Sequence, residues 1–158
     1  VLSNITFGKN RHGKPSKERV KAAIRVSQAE EFVSKLDDKE KAHIAQGGTN
    51  VSGGQKQRLS IARTIARDPE IYIFDDSFSA LDYKTDSTLR SELKKYTKDA
   101  TVMIVAQRIG TILNADKIVV LDNGKCVGIG THKELMKKCK VYKEIALSQV
   151  SKEELENV

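Results

Sequence analysis

Residues 51–76 read VSGGQKQRLSIARTIARDPEIYIFDD, and this stretch decides the fold. Gly53 and Gly54 permit unusual backbone dihedrals and close approach of another group. They open a helix, whose first N–H groups and partial positive charge suit a phosphate. Ser52 adds a hydroxyl that can cap that helix or reach the phosphate. Taken alone, Ser-Gly-Gly is more often an ordinary helix start. Leu59, Ala62, Ile65 and Ala66 share one helical face, while Arg58, Arg63 and Arg67 point elsewhere. Pro69 stops the helix. The apolar run 71–74 then reads as a buried strand with Asp75 and Asp76 at its C-terminal end. An acid there can hold Mg²⁺ through water, and the next can orient or deprotonate an attacking water. The plainer use of both is to cap the following turn.

Upstream, residues 1–8 form a short apolar element and 9–15 a basic turn ending in Pro15. Ser16 caps a helix expected to run to about Leu36, with Val20, Ile24, Phe32 and Val33 near helical spacing. The charged stretch 37–43 leads into the Gly-rich loop AQGGTNVSGGQ, 45–55. Downstream come a loop at 77–82, a helix at 84–96 and a second buried strand at 101–106 ending at Gln107. Asn123-Gly124 between apolar runs predicts a hairpin. Thr131 with Glu134 predicts a capping box for a helix through about Lys138. The chain then turns polar and helical. Buried strands alternating with helices argue for a parallel α/β sheet, whose ligands sit at the C-terminal strand ends. Asp75, Asp76 and Gln107 stand at such ends.

Composition narrows the function. With 158 residues the chain can build one domain with a real core. The formal net charge is +7, with the positive residues scattered rather than striped with aromatics. That fits a solvated basic surface, or an anionic partner such as a nucleotide or inner-leaflet lipid, better than nucleic acid. Cys126 and Cys139 read as free thiols of a reducing compartment. His12, His43 and His132 are too far apart in sequence to suggest a metal site. No apolar run approaches the roughly 18 residues of a membrane span, and no stretch reads as a signal peptide. The chain opens on Val1 inside an apparent element, which reads as a cut from a longer chain.

The features in this order resemble one family, the ABC-type ATPase domain. VSGGQ at 51–55 looks like its signature, usually LSGGQ. IYIFDD at 71–76 looks like Walker B, SALD at 79–82 like the D-loop, and VMIVAQR at 102–108 like the strand and switch loop. The segment 118–135 resembles the hairpin and helix that follow, and VLSNITFG the segment after the Q-loop. The resemblance covers residues 1–147. It implies an α/β fold, part of a P-loop NTPase: parallel core strands plus an α-helical subdomain bearing the signature. The implied division is 1–68 for the helical subdomain, 69–147 for the C-terminal part of the ATPase core and 148–158 for a polar tail.

The resemblance also implies ATP and Mg²⁺ as cofactors. Ser52, Gly53, Gly54 and Gln55 would contact the γ-phosphate of ATP held on a partner domain's Walker A. Asp75 would hold Mg²⁺, Asp76 and Gln107 would occupy the catalytic positions, and Asp82 would help the two sites communicate. No GxxxxGK[ST] occurs in the chain. Walker A, the base-stacking aromatic and the Q-loop would all precede Val1. The chain alone is therefore expected to be inactive, to expose a sheet edge or apolar face, and to self-associate.

Two positions depart from the family pattern. Asp76 stands where a Glu is usual, one methylene shorter. Gln107 stands where His is usual; it can donate a hydrogen bond but cannot titrate near neutrality. An intact signature with these two changes resembles the degenerate-site subunit of a heterodimeric multidrug-type exporter. Such a chain couples ATP binding and hydrolysis to export. It works with a second nucleotide-binding domain and a transmembrane domain, at the cytoplasmic face of the cell membrane. Gln46 replaces a Glu common in the loop that meets the transmembrane domain. The C-terminal half of an SMC- or Rad50-type DNA-repair ATPase head is the alternative. It would show heptads upstream, and residues 16–47 sustain none.

Overall fold

The computed structural model describes residues 1–8 and 13–149. His12, most of the basic turn after Gly8 and the tail from 150 lie outside the described residues. By packing, the chain forms two compact units, Val1–Met103 and Ile104 onward.

In the first unit, α1 (Leu2–Ile5), α2 (Lys17–Val26) and α3 (Glu30–Ser34) precede α4 (Gly53–Arg67). The single helix expected from Ser16 to Leu36 is two helices. Ser16 does cap it, its hydroxyl accepting from Arg19 N–H at 3.2 Å. The break follows from a Schellman turn. Ala29 N–H reaches the Ile24 carbonyl at 2.9 Å and Gln28 N–H the Arg25 carbonyl at 3.0 Å. Gln28 takes the left-handed conformation at φ 55°, a place where glycine is usual, so the break carries no glycine to mark it.

Helix α4 is the spine of this unit. It packs on α1 and α2, burying Leu59, Ala62, Ile65 and Ala66 as the sequence spacing predicts, together with Ile61. The arginines of its other faces are structural ties. Arg58 donates to the Gln28 carbonyl at 2.9 Å and lies 5.0 Å from the Phe32 ring centroid. Arg63 Nε donates to the Asn4 carbonyl at 2.8 Å. The helix ends at Arg67, two residues before Pro69, with Asp68 left-handed at φ 49°.

Strand β1 (Ile71–Asp75), helix α5 (Tyr83–Tyr96) and strand β2 (Thr101–Val105) form a βαβ unit, the crossover that sets parallel strands side by side. Thr101 N–H donates to the Glu70 carbonyl at 3.0 Å at the start of the pairing. The fully buried strand expected at 71–74 is buried on one face only. Tyr72 and Phe74 are 1% exposed, whereas Ile71 and Ile73 are 59% and 63% exposed. A strand apolar on both faces signals cover on both; among the described residues only one cover is present.

In the second unit, β3 (Ile118–Asp122) and β4 (Lys125–Gly130) make the expected hairpin. Asn123 and Gly124 have φ of 47° and 73°, as the tight turn requires. The Thr131–Glu134 capping box opens α7 (His132–Lys138), and α8 (Lys140–Gln149) follows. With the short α6 (Ile109–Ile112), these elements enclose a core of Ile109, Ile118, Val120, Leu135, Cys139, Tyr142 and Ala146.

Candidate functional site

The glycine-rich start of α4 is built from both sides. Before it, the Asn50 side chain folds the loop back on itself, accepting from Ala45 N–H and donating to the His43 carbonyl, each at 2.9 Å. Gln46 is exposed on this loop. Gly47 and Gly48 take φ of 71° and 67°, which other residues adopt only with strain. Ser52 is then the N-cap of α4. Its hydroxyl accepts from Gln55 N–H at 3.2 Å, and the Gln55 side chain accepts from Ser52 N–H at 2.9 Å. This reciprocal capping box fixes the first turn. Gly53 and Gly54 occupy the first two helical positions, whose N–H groups have no partner within the helix. Ser52 and Gly53 are exposed, so an incoming anion can reach this end.

The same turn rests against the loop after β1. A Cβ on Gly54 would lie 3.0 Å from the Ala80 carbonyl oxygen and 3.7 Å from Leu81 Cδ2. Gly54 is therefore needed for packing within the chain as well as for any outside ligand. Gln57, two positions beyond Gln55, locks the two loops together. Its amide donates to Ser79 Oγ at 3.1 Å and to the Asp76 carbonyl at 3.3 Å, and accepts from Ala80 N–H at 2.9 Å. Sequence reasoning passed over Gln57. The available signal was a polar, hydrogen-bonding residue one helical turn beyond the glycines, on the face they share.

Asp75 ends β1 and Asp76 follows it, and both are exposed. Asp76 sits at φ 47°, outside the strand conformation, with its carbonyl also accepting from Ser79 Oγ at 3.1 Å. Asp82 caps α5, accepting from Thr85 Oγ1 at 2.6 Å and Thr85 N–H at 2.9 Å. Those two bonds, the hydroxyl's first, hold the Asp82 carboxyl below its ordinary pKa. The first unit thus brings Ser52–Gln55 against the 76–82 loop. Gln107 belongs to the second unit, exposed between β2 and α6. No cluster of three or more His, Cys, Asp or Glu side chains able to hold a metal by themselves occurs among the described residues. Asp75 is suited to an ion that takes its other ligands from water and phosphate.

The sequence profile of the ABC transporter family matches residues 2–79. An uncharacterized ABC transporter ATP-binding protein of Mycobacterium tuberculosis is 44% identical over 149 residues, which is 94% of this chain and 25% of that protein. The ATP-dependent lipid A-core flippase of Francisella tularensis is 40% identical over 142 residues, 90% of this chain and 23% of the flippase. Among solved structures, a bacterial Atm1-family ABC exporter with ATP bound superposes at a TM-score of 0.87 and 31% identity. That match covers 96% of this chain and 26% of the exporter chain. The chain thus spans about a quarter of the length of the relatives it matches.

Proposed function

Because this chain belongs to the ABC transporter family and carries its ATP-binding fold, we propose that it serves as part of an exporter's nucleotide-binding domain, lending its signature loop to ATP held on a partner domain. The single observation that carries this reading is the capped, glycine-lined start of α4, exposed at Ser52 and Gly53, in a chain with no GxxxxGK[ST]. That start offers one wall of a phosphate site.

In this reading Ser52, Gly53, Gly54 and Gln55 meet the γ-phosphate of ATP on the partner's Walker A. ATP then ties two nucleotide-binding domains together, and hydrolysis releases them, a ligand-driven shift between open and closed states. Mg²⁺ supplies charge neutralisation at the phosphates when bound. Asp75 would hold the ion through water in this chain's own site, once a Walker A is in place. Asp76 and Gln107 stand at the base and switch positions. A shortened carboxylate and a non-titrating amide make that site hold ATP longer than it hydrolyses it. The partner domain is then a different chain with competent residues. Asp82 and the 76–82 loop carry the state of one site to the other. The loop bearing Gln46 meets a transmembrane domain, so the assembly works at the cytoplasmic face of the membrane. The exposed Ile71, Ile73 and Met103 side chains support self-association of the isolated chain.

Calorimetric titration of the 158-residue chain with Mg·ATP tests the division of labour. The expected result is no saturable heat at millimolar ATP, a Kd weaker than about 1 mM. Tight, stoichiometric binding would mean a complete phosphate cradle within the chain and would sink the proposal.

A further inference from the structure

Gln149, the last residue of α8, places its side-chain amide across the backbone that flanks Arg108. Its Nε2 donates to the Gln107 carbonyl at 2.8 Å, and its Oε1 accepts from Ile109 N–H at 2.9 Å. A donor and an acceptor side by side on a planar amide match the carbonyl and N–H of the loop, as one peptide unit matches another across a sheet. The second bond also completes a helix start. Helix α6 begins at Ile109, and its N-cap Arg108 makes no side-chain cap, so Gln149 provides the acceptor that the first turn needs.

Both ends of this link are anchored. Ile109 is 2% exposed and packs in the same core as Tyr142 and Ala146 of α8. The backbone of Gln107 is therefore tied through one amide to a helix seated in the core, while the Gln107 side chain stays exposed.

We propose that Gln149 is a positioning residue for the switch loop, holding the Gln107 backbone so that its side chain points in one fixed direction. The assignment rests on the reading of Gln107 as the switch residue. Helix α8 then fixes the switch loop from behind. A glutamine is needed because the loop presents one carbonyl and one N–H together. Glutamate lacks the donor, and alanine lacks both groups.

The test uses the full-length protein reconstituted in lipid, with the partner site silenced by mutation. Gln149→Ala and Gln149→Glu are made in the native background, in Gln107→Ala and in Asp76→Glu/Gln107→His. Two quantities are read, hydrogen exchange at the Ile109 amide and Mg·ATP turnover. Gln149→Ala is expected to speed Ile109 exchange roughly tenfold or more. In the background that turns over fastest, it should lower kcat by about tenfold while KM for ATP stays within about twofold, as for a loop displaced by a fraction of an ångström. Gln149→Glu keeps the bond to Ile109 but sets a carboxylate oxygen against the Gln107 carbonyl. It should exchange slowly at Ile109 yet turn over as poorly as the alanine variant. In Gln107→Ala, replacing Gln149 should cost nothing further.

Unchanged Ile109 exchange in Gln149→Ala would overturn the assignment. So would an equal loss of turnover with and without the Gln107 side chain, the mark of a merely structural role. Faster exchange with turnover unchanged in every background would also remove it. Whether the switch reading falls as well is told separately, by whether Asp76→Glu/Gln107→His gains turnover over the native chain.

Discussion

Gly54→Val is expected to lower ATP turnover of the full-length protein by roughly 10²-fold or more, the scale set by misplacing a catalytic group by about an ångström. The cause lies inside the chain. A Cβ at this position would already sit 3.0 Å from the Ala80 carbonyl oxygen, and a branched side chain needs more room still. The Ala80 backbone cannot simply retreat, because its N–H is held by Gln57 at 2.9 Å. Either the start of α4 or the 76–82 loop must move. Overpacking of this kind costs about 1–3 kcal/mol of stability, so thermal unfolding should be followed alongside turnover. Gly53 provides the comparison. A Cβ there would meet only Ala80 Cβ at 3.9 Å, an ordinary contact. Gly53→Ala should therefore leave stability within about 0.5 kcal/mol, the usual span for a surface change, and any turnover it loses reports crowding of the phosphate. A Gly54→Val protein with native turnover would show that neither the loop nor a close phosphate approach matters.

Asp76→Glu combined with Gln107→His is expected to raise turnover at this chain's own site by about 10–10²-fold in the assembled transporter. The backbone of Asp76 is held where it is. Its φ is 47°, and its carbonyl is held by Ser79 Oγ at 3.1 Å and Gln57 at 3.3 Å. A longer side chain therefore carries its carboxylate farther from the backbone instead of shifting the strand end. Histidine at 107 adds a group that can carry charge near neutrality, where glutamine cannot. Turnover of the double variant should acquire a pH dependence near about 6.5 that the native chain lacks. Steady-state ATPase across pH, with the partner site silenced by mutation, checks both statements. No gain over the native chain would rule out a site slowed by these two residues.

Much of this was legible in sequence because the local signals agreed with one another. Ser52 and Gln55 form the capping box that their spacing allows, Pro69 falls just beyond the end of α4, and Asn123-Gly124 makes the hairpin turn. Two features were hidden for physical reasons. The break at Gln28 puts a residue other than glycine in the left-handed position just past the C-cap, where sequence usually advertises glycine. The half-covered strand β1 reads as fully buried because its composition reflects cover on both faces. The anchors of the site were hidden too. Gln57 and Gln149 act by bonding backbone atoms 19 and 42 residues away, and such pairings leave no local pattern. The motif residues show in sequence, whereas the amides that hold their loops show only in three dimensions.

Whether Ser52 meets a partner domain's Walker A across ATP is best decided by cysteine cross-linking. Ser52→Cys would be placed in the full-length protein with the exposed Cys126 replaced by serine, and a second cysteine set in the partner's Walker A loop. Under mild oxidation the expected product is a disulfide between the two chains that forms with a non-hydrolysable ATP analogue and is lost without nucleotide. A cross-link indifferent to the analogue, or none in the analogue-loaded state while ATP is still turned over, would mean that the signature loop does not close on the partner's nucleotide.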